Sequence, residues 1–215
     1  FFGPPPDPPP WANDRTDAPG RTKCSRCLRT VARRVGAMGY ARNEITHYRE
    51  IARSMARSIR IEGATEKDVP LILTLIKGLA EYEHLSQDCV ATEKLLRETL
   101  FGKTKYAEVV IAYYDTLPAG FALFFHNYST FLARPGIYLE DLYVFPELRG
   151  KGIGKALLVH LAKIAKKRNC GRLEWAVLDW NEPSIAFYKG LGAVPLDDWT
   201  VFRVTGKALD TLAEK

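Results

Sequence analysis

The chain has 215 residues, of which 47% are hydrophobic, and a formal net charge of +6 from 31 Lys and Arg against 25 Asp and Glu. A chain of this length can bury one good core, so we expect one folded domain plus an extension rather than several domains. No apolar run approaches the roughly 20 residues that a membrane-crossing helix needs, and the proline-rich start does not resemble a secretory signal.

The first 54 residues differ in composition from the rest of the chain. Six of the first ten are proline, and the scattered arginines that follow leave too few apolar side chains for a core. This segment has 10 Lys and Arg against 5 Asp and Glu, which leaves 21 against 20 in residues 55–215, so the charge predicts no nucleic-acid partner. We therefore expect residues 1–54 to be a disordered or non-native N-terminal extension and residues 55–215 to form the domain. An organelle-targeting segment is the alternative, and its acidic residues weigh against it.

Four cysteines are spread along the chain, two in the extension and two isolated in the domain. Cys24 and Cys27, with His47 downstream, have half of the spacing of a zinc site, but no second Cys or His pair completes it. Few and scattered thiols are typical of a reducing compartment. The sequence therefore predicts no metal and a cytoplasmic protein.

The domain alternates strand-like and helix-like segments, which predicts a mixed α/β unit. Thr65 and Asp68 form a candidate capping box for a first helix. Pro118 lies in a turn at 115–119 and disfavours regular pairing there. The predicted elements are a strand at 59–62, helices from about 65 and after Thr92, strands at 107–114, 120–128 and 137–145, a long helix from 153, a strand at 172–179, a short helix around Tyr188 and a last strand around 199–204.

Residues 142–167 read as a short apolar strand, a loop with glycines at 150, 152 and 154, and an amphipathic helix. The N–H groups at a helix start have no partner within the helix, and the helix dipole makes that end attractive to anions. Glycines let the backbone approach such an anion closely. The segment therefore predicts a phosphate-binding loop. Basic side chains flank it at Arg149, Lys151 and Lys155.

The spacing of these glycines decides which phosphate ligand is expected. Lys155 stands where the dinucleotide motif G-x-G-x-x-G needs its last glycine, and the nucleotide-triphosphate loop would need Ser or Thr in place of Ala156. The remaining pattern, R-x-x-G-x-G from Arg149 to Gly154, resembles the pyrophosphate loop of the GCN5-related N-acetyltransferases (GNAT), whose ligand is acetyl-CoA. A glycine-rich turn that only joins strand to helix is the alternative.

A second motif, LEWAVLDWNEPSIAFYKGLGA at residues 173–193, strengthens the resemblance. It reads as a strand, a turn and a short helix that Asn181 caps and that carries Pro183 in its first turn. Asn181 and Tyr188 are seven residues apart, so they share one side of that helix. The pattern is similar to the GNAT segment that holds the pantetheine arm and supplies a tyrosine beside the thioester sulfur. We interpret the neighbouring Phe187 as a core aromatic residue.

Both motifs, with the upstream segment 75–102, resemble the diamine and polyamine branch of GNAT, which includes spermidine/spermine and thialysine acetyltransferases. The likeness covers about residues 58–212. It implies the GNAT acyl-CoA N-acyltransferase fold, an α/β architecture in which a mixed central sheet with splayed strands is flanked by helices. It also implies a homodimer, acetyl-CoA as co-substrate, and neither membrane nor nucleic acid as partner. The residues that it assigns to acetyl-CoA are Leu142, Tyr143, Val144, Gly150, Lys151, Gly152, Ile153, Gly154, Lys155, Asn181, Pro183 and Ser184.

The resemblance implies that a primary amine attacks the thioester of acetyl-CoA directly. The amine must be neutral to attack, although an alkylammonium with a pKa of about 10.4 is protonated near pH 7. We expect Glu140 to accept its proton through a water and Tyr188 to protonate the departing thiolate. Tyr82 and Glu83, with Glu140, match family positions that contact the amine, and a surface location is their alternative.

The neighbouring carboxylates Glu140 and Asp141 point to opposite faces of a regular strand. Both can line one pocket only if a bulge intervenes. We interpret Glu140 as the functional residue and Asp141 as a solvated carboxylate at a strand edge. Crowding around Tyr82, Glu140 and Trp199 is expected to decide how large an acceptor enters.

Three functions remain open at this point. The first is acetylation of a small diamine, a polyamine or a lysine-like amino acid such as thialysine or ornithine. The second keeps the fold and co-substrate but acts on a protein or drug amine. The third is a CoA-binding sensor without catalysis, and the presence of both Tyr188 and Glu140 argues against it.

Overall fold

The computed structural model describes residues 58–215, so the expectations for the extension and for its cysteine pair lie outside the described residues. Within this range the chain forms one five-stranded sheet with helices on both faces. The strands are β1 (Ile59–Gly63), β2 (Glu108–Tyr114), β3 (Leu117–Ser129), β4 (Arg134–Val144) and β5 (Leu173–Trp175). The helices are α1 (Val69–Tyr82), α2 (Glu93–Leu96, continued by a π-helical turn Arg97–Phe101), α3 (Ile153–Lys167), α4 (Glu182–Lys189) and α5 (Gly206–Ala213).

The sheet has the spatial order β1-β2-β3-β4-β5, with antiparallel pairs from β1 to β4 and a parallel pair between β4 and β5. Alternate residues of the central strands pack on opposite faces, because successive side chains of a strand point to opposite sides. Phe124 and Leu139 pack with α3, and Ile111 and Phe121 pack with α1 and α2. The predicted mixed sheet flanked by helices is confirmed.

The starts of the first two helices follow the predicted capping residues. The Asp68 carboxylate accepts hydrogen bonds from the Thr65 backbone N–H at 2.7 Å and from the Thr65 hydroxyl at 2.8 Å. A 3-10 turn (Glu66–Asp68) precedes α1, so the α-helix itself begins at Val69. Thr92 caps α2, since its Oγ1 accepts from the Leu95 N–H at 3.3 Å.

The turn between β2 and β3 is shorter than predicted. Leu117 already pairs with Tyr114, and Pro118 lies opposite Tyr113, where the register of the two strands shifts. The proline is accommodated because it has no backbone N–H to donate, and the regular ladder of hydrogen bonds is interrupted at this irregularity. The predicted turn at 115–119 is therefore wrong in its second half, where β3 has already begun.

The strands β4 and β5 separate at one end of the sheet. They pair only from Ile137 opposite Leu173 to Leu139 opposite Trp175. Beyond Leu139, β4 continues to Val144, and no β5 residue of the described chain accompanies it. The predicted strand at 172–179 is for this reason only three residues long, and the splayed strands expected of the fold are confirmed.

The predicted strand around 199–204 is wrong. Within residues 58–215 this segment pairs with no strand, although its β-branched and aromatic residues have high strand propensity. Propensity cannot supply the hydrogen-bonding neighbour that a strand needs. Its apolar side chains are instead exposed, with 75% of Trp199 and 91% of Phe202 accessible to solvent.

None of the helices in the described range is long and apolar enough to cross a bilayer.

Candidate active site

A cavity of about 570 Å³ opens where β4 and β5 separate, between the glycine loop, the end of α1 and the start of α4. Its walls bring together residues that are up to about a hundred positions apart in the sequence. All the predicted site residues except Lys151 line it. They are Tyr82, Glu83, Glu140, Leu142, Tyr143, Val144, Gly150, Gly152, Ile153, Gly154, Lys155, Asn181, Pro183, Ser184 and Tyr188.

The glycine loop lies at the start of α3 and forms one end of the cavity. Gly150 and Gly152 have φ angles of 75° and 83°, in the left-handed region that costs other residues about 1–2 kcal/mol. A Cβ at either position would contact nothing within 4 Å, so the need for glycine here is conformational rather than a matter of packing. The open space in front of the loop leaves the first N–H groups of α3 free to meet an anion.

The side chain of Lys151 is turned away from this cavity. Its Nζ donates to the carbonyl of Glu147 at 2.7 Å and lies 5.6 Å from the centre of the Tyr114 ring. Lys155, in the first turn of α3, lines the cavity and is exposed, so its ammonium is available to an anion at the loop. The contact between Lys151 and acetyl-CoA stays a prediction, and Lys151 does not line the cavity.

Arg149 takes a position that the sequence analysis did not foresee. Its Nε donates to the carbonyl of Val144 at 3.1 Å. The guanidinium lies over the Tyr82 ring at 4.3 Å from the centroid, and 5.7 Å from that of Tyr143. A cation over an aromatic face contributes about 0.5–1 kcal/mol at exposed sites, so this contact helps to hold Tyr82 at the cavity wall.

Asn181 connects two walls of the cavity through one atom. Its Oδ1 accepts from the Ser184 N–H at 3.3 Å, which caps α4 as predicted, and from the Tyr82 hydroxyl at 3.1 Å. Asn181 is buried, with 6% of its surface exposed. A buried amide with satisfied partners fixes its neighbours, so the end of α1 and the start of α4 are tied together here.

Tyr188 lies on α4 with its ring edge-on to Trp175 at 5.1 Å between centroids. Burial raises the pKa of its phenol above the ordinary value, and the nearby Glu83 and Tyr82 raise it further. A phenol with a raised pKa stays protonated at neutral pH. Tyr188 can therefore donate a proton to an atom in the cavity.

Three carboxylates line the cavity: Glu83, Glu140 and Asp141. The register of β3 and β4 jumps between Leu123 opposite Asp141 and Phe124 opposite Leu139, so Glu140 sits in a bulge. Burial raises the pKa of Asp141 to about 6, with added repulsion from Glu140 and Glu83, and burial also raises the pKa of Glu83.

The interpretation of Asp141 as a solvated strand-edge carboxylate is therefore wrong. A bulge shifts the alternation of side chains along a strand, which is the condition under which both neighbours can face one pocket. No glycine or proline marks the bulge in the sequence, so the only available signal was the pair of adjacent carboxylates itself.

Trp199 is expected to help limit the size of the acceptor, but it lies away from the cavity. Trp199 does not line the cavity and is 75% exposed. Trp180 does not line the cavity either, but its ring centroid lies 5.9 Å from that of Tyr82 and 5.8 Å from that of His84. Further lining residues that the sequence analysis did not assign to the site are Leu79, Leu148, Ala176, Val177 and Phe187.

This chain is similar to a known protein family, to named relatives and to a solved structure. Residues 78–193 match the model of the acetyltransferase (GNAT) family. A thialysine N-epsilon-acetyltransferase from Bos taurus is 40% identical over 168 residues, which cover 73% of this chain and 98% of the relative. An L-ornithine N5-acetyltransferase from Arabidopsis thaliana is 34% identical over 198 residues, 71% of this chain and 87% of the relative. An integron cassette protein of V. cholerae superposes with a TM-score of 0.64 at 28% identity, covering 74% of this chain and 99% of that structure.

Proposed function

Because the chain belongs to the GNAT family and is an acetyl-CoA-dependent N-acetyltransferase, we propose that its acceptor is the primary amine of a small diamine, polyamine or lysine-like amino acid. One observation carries this proposal. A single cavity is lined both by the glycine loop and by three carboxylates with the Tyr188 ring. A cationic amine and an anionic co-substrate therefore each find complementary charge in the same space.

Acetyl-CoA is proposed to bind with its diphosphate at the start of α3. The N–H groups of the loop from Gly150 to Gly154 and the ammonium of Lys155 supply donors and positive charge for it. The pantetheine arm would then lie in the gap between β4 and the chain after β5, where Leu142 to Val144 pair with β3 on one side and face no strand of the described chain on the other. A chain of amides in that gap would pair with β4 as an added strand.

The amine is proposed to bind at the carboxylates. Each ionised carboxylate offers an ammonium group a charge-assisted hydrogen bond, which is roughly twice as strong as a neutral one. Glu140 is exposed and Glu83 is partly buried, so an amine with a second cationic group can contact one carboxylate from solvent and another deeper in the cavity. The relatives named for thialysine and ornithine act on molecules with two amino groups, which supports this choice.

The proposed reaction is direct transfer. The neutral amine attacks the thioester carbonyl, the carbon–sulfur bond breaks, and Tyr188 donates its phenolic proton to the leaving sulfur. The nitrogen of the new amide loses a proton that restores the phenol. A carboxylate of the cavity takes the first proton from the incoming ammonium, and Glu140 is the acceptor proposed from the family resemblance.

The working protein is proposed to be a homodimer in a reducing compartment such as the cytoplasm. Residues 194–215 are exposed, including Val201, Phe202, and Leu209 and Leu212 of α5. Exposed apolar side chains in a row mark surfaces that bind another chain. A second copy is the proposed occupant because β5 offers a free strand edge and residues 199–204 have strand propensity without a partner in the described chain. The thiols of Cys89 and Cys170 are free, as expected where glutathione keeps thiols reduced.

The test is release of free thiol from acetyl-CoA by the full chain in the presence of a panel of amines. The panel contains ornithine, thialysine, spermidine and a simple diamine, with a lysine-containing peptide as a larger acceptor. We expect turnover with the small amines and little with the peptide. Preferred turnover of the peptide, or none with any amine, would contradict the proposed acceptor.

The role of Tyr188 is tested in the same assay. Tyr188→Phe removes only the hydroxyl, so we expect kcat to fall by about 100-fold or more while the Kd of acetyl-CoA stays within about twofold. Tyr106→Phe is the matched control, because Tyr106 is 69% exposed and does not line the cavity. Wild-type kcat in Tyr188→Phe would show that another group protonates the sulfur.

A further inference from the structure

The bulge in β4 gives the cavity two adjacent carboxylates that could accept the proton of the substrate ammonium. In a regular strand Glu140 and Asp141 would lie on opposite faces of the sheet. The jump in register at Leu123 and Phe124 leaves Glu140 without a partner on β3, and both carboxylates line the cavity. The strand thus brings two adjacent carboxylates to the amine end of one site, one exposed and one partly buried.

The partly buried carboxylate, that of Asp141, has an unusual environment. Among residues 58–215 it has no hydrogen bond or ion pair that would favour its charged form. Its partner across the strand pair, Leu123, is apolar. The titratable and charged groups that share the cavity with it come from several elements. They are Glu140 and Tyr143 on β4, Glu83 and Tyr82 at the end of α1, Tyr188 on α4, Lys155 on α3, and Arg149, whose guanidinium lies over Tyr82.

We infer that Asp141, rather than Glu140, accepts the proton of the substrate ammonium, and that Glu140 holds the cationic substrate at the open side of the cavity. The inference rests on the proposed function. One N–H bond of the ammonium breaks, and the proton passes to an Asp141 carboxylate oxygen directly or through one water. The freed electron pair forms the bond from nitrogen to the thioester carbon, and Asp141 later releases the proton to solvent.

Asp141 is better suited than Glu140 to accept the proton, because a general base works best when its pKa is close to the working pH. Burial, with Glu140 and Glu83 nearby, raises the pKa of Asp141 to about 6. At pH 7 to 8 such a carboxylate is ionised and still basic enough to hold a proton for part of the time. Glu140 is exposed to water, which suits a charge that attracts and orients an ammonium instead.

The experiment is the pH dependence of kcat/KM for acetylation of the best amine in the panel, because kcat/KM reports groups of the free enzyme. The wild type is expected to lose activity below about pH 6, the value to which the cavity raises the pKa of Asp141. Asp141→Asn is expected to lower kcat/KM about 100-fold or more and to remove this acidic limb. Its remaining activity should keep rising with pH until the free amine predominates, near a pKa of about 10.

Two further variants change the charges around Asp141 while leaving Asp141 itself in place. Glu140→Gln and Glu83→Gln each remove a repelling charge, so each should move the acidic limb to lower pH while the limb itself persists. Glu140→Gln should in addition raise KM for the amine more than it lowers kcat. Asp141→Glu is expected to recover part of the activity, and Glu98→Gln, which changes an exposed carboxylate away from the cavity, should leave the profile unaltered.

The outcomes separate this inference from the function on which it rests. Acetyl-CoA binding by calorimetry first confirms that each variant is folded. If the wild type acetylates no amine, the proposed function fails. If it does, but Asp141→Asn keeps the limb near pH 6, or Glu140→Gln abolishes the limb instead of shifting it, the assignment of Asp141 is overturned alone. If Asp141→Asn does not fold, an unmoved limb in both glutamine variants would overturn it.

Discussion

The environment of Asp141 predicts that the protein is less stable than it could be at neutral pH. Burial, followed by repulsion from Glu140 and Glu83, raises the pKa of this carboxyl from 3.8 to about 6. The native state therefore binds the Asp141 proton more tightly than the unfolded chain does. The stabilisation from this proton is fully present below about pH 4 and is lost as the pH rises through 6. Asp141→Asn should remove that loss, because the amide has the shape of the protonated acid and carries no charge.

The magnitude follows from the size of the shift. A rise of about 2 pKa units corresponds to about 3 kcal/mol, since each unit is worth about 1.36 kcal/mol. At pH 8 both states of the wild type are ionised at this position, so the variant should be more stable by up to about 3 kcal/mol. At pH 5 the native carboxyl is still mostly protonated, and the advantage of the variant should fall to about half of that value.

Urea unfolding at pH 5 and pH 8, followed by tryptophan fluorescence, measures both values. Glu98→Gln serves as the matched control, because an exposed carboxylate outside the cavity should change the free energy of unfolding by less than about 0.5 kcal/mol. An unchanged m-value would show that the unfolded state is the same in each variant.

The same difference between Asp141→Asn and wild type at both pH values would show that ionisation of Asp141 does not destabilise the native state. The prediction would also fail if the variant were less stable at pH 8, since the ionised carboxylate would then have a favourable partner. A gain at pH 8 combined with lost activity is the expected pattern of a group that is kept for catalysis at the expense of stability.

Three further outcomes test the fold and the site. Gly152→Ala should lower stability by about 1–2 kcal/mol and weaken acetyl-CoA binding in calorimetry, because Gly152 has a φ of 83°, whereas Gly63→Ala, with open space and ordinary φ, should keep the affinity. Leu75→Ala should lower the free energy of unfolding in urea by about 2–5 kcal/mol, since Leu75 is fully buried; a loss below about 1 kcal/mol would contradict its place in the core. For the proposed homodimer, the wild type should have the mass of two chains in light scattering, and Phe202→Ser, at a 91% exposed position, should lower that mass towards one chain; an unchanged mass would exclude this surface as the contact.

The glycine loop and the Tyr188 helix could be predicted from the sequence because their determinants are local. Gly150 and Gly152 are glycines at the positions where the backbone takes positive φ, and Asn181 caps α4 with its own side chain. Residues within one turn of each other carry all the information for such features. The same holds for the capping box of Thr65 and Asp68, which fixes the start of α1 within a few residues.

Features that depend on pairing between distant segments could not be predicted in this way. The length of β5 is set by where the chain leaves β4, and the missing strand at 199–204 depends on a neighbour that the described chain does not offer. The side chain of Lys151 points to the Glu147 carbonyl rather than to the cavity, although its place in the motif favoured the opposite. In each case the three-dimensional arrangement of the chain overrides the local preference, and the sequence pattern does not reveal that arrangement.

The bulge at Glu140 depends both on the local sequence of β4 and on packing against distant segments, and it decides which side chains line the cavity. A shift of one residue in the register of a strand reverses the face of every side chain beyond it. Leu142 and Asp141 would exchange their surroundings if β4 ran regularly past Leu139, and a leucine would then meet the amine. The sequence Y-L-E-D-L-Y-V alone fits either arrangement. What selects the bulge is that Tyr143 and Leu139 are both buried, at 6% and 2% exposure, on opposite helical layers of the sheet. Four residues apart in a regular strand they would share one face, so placing them on opposite faces requires one extra residue between them, and that residue is Glu140.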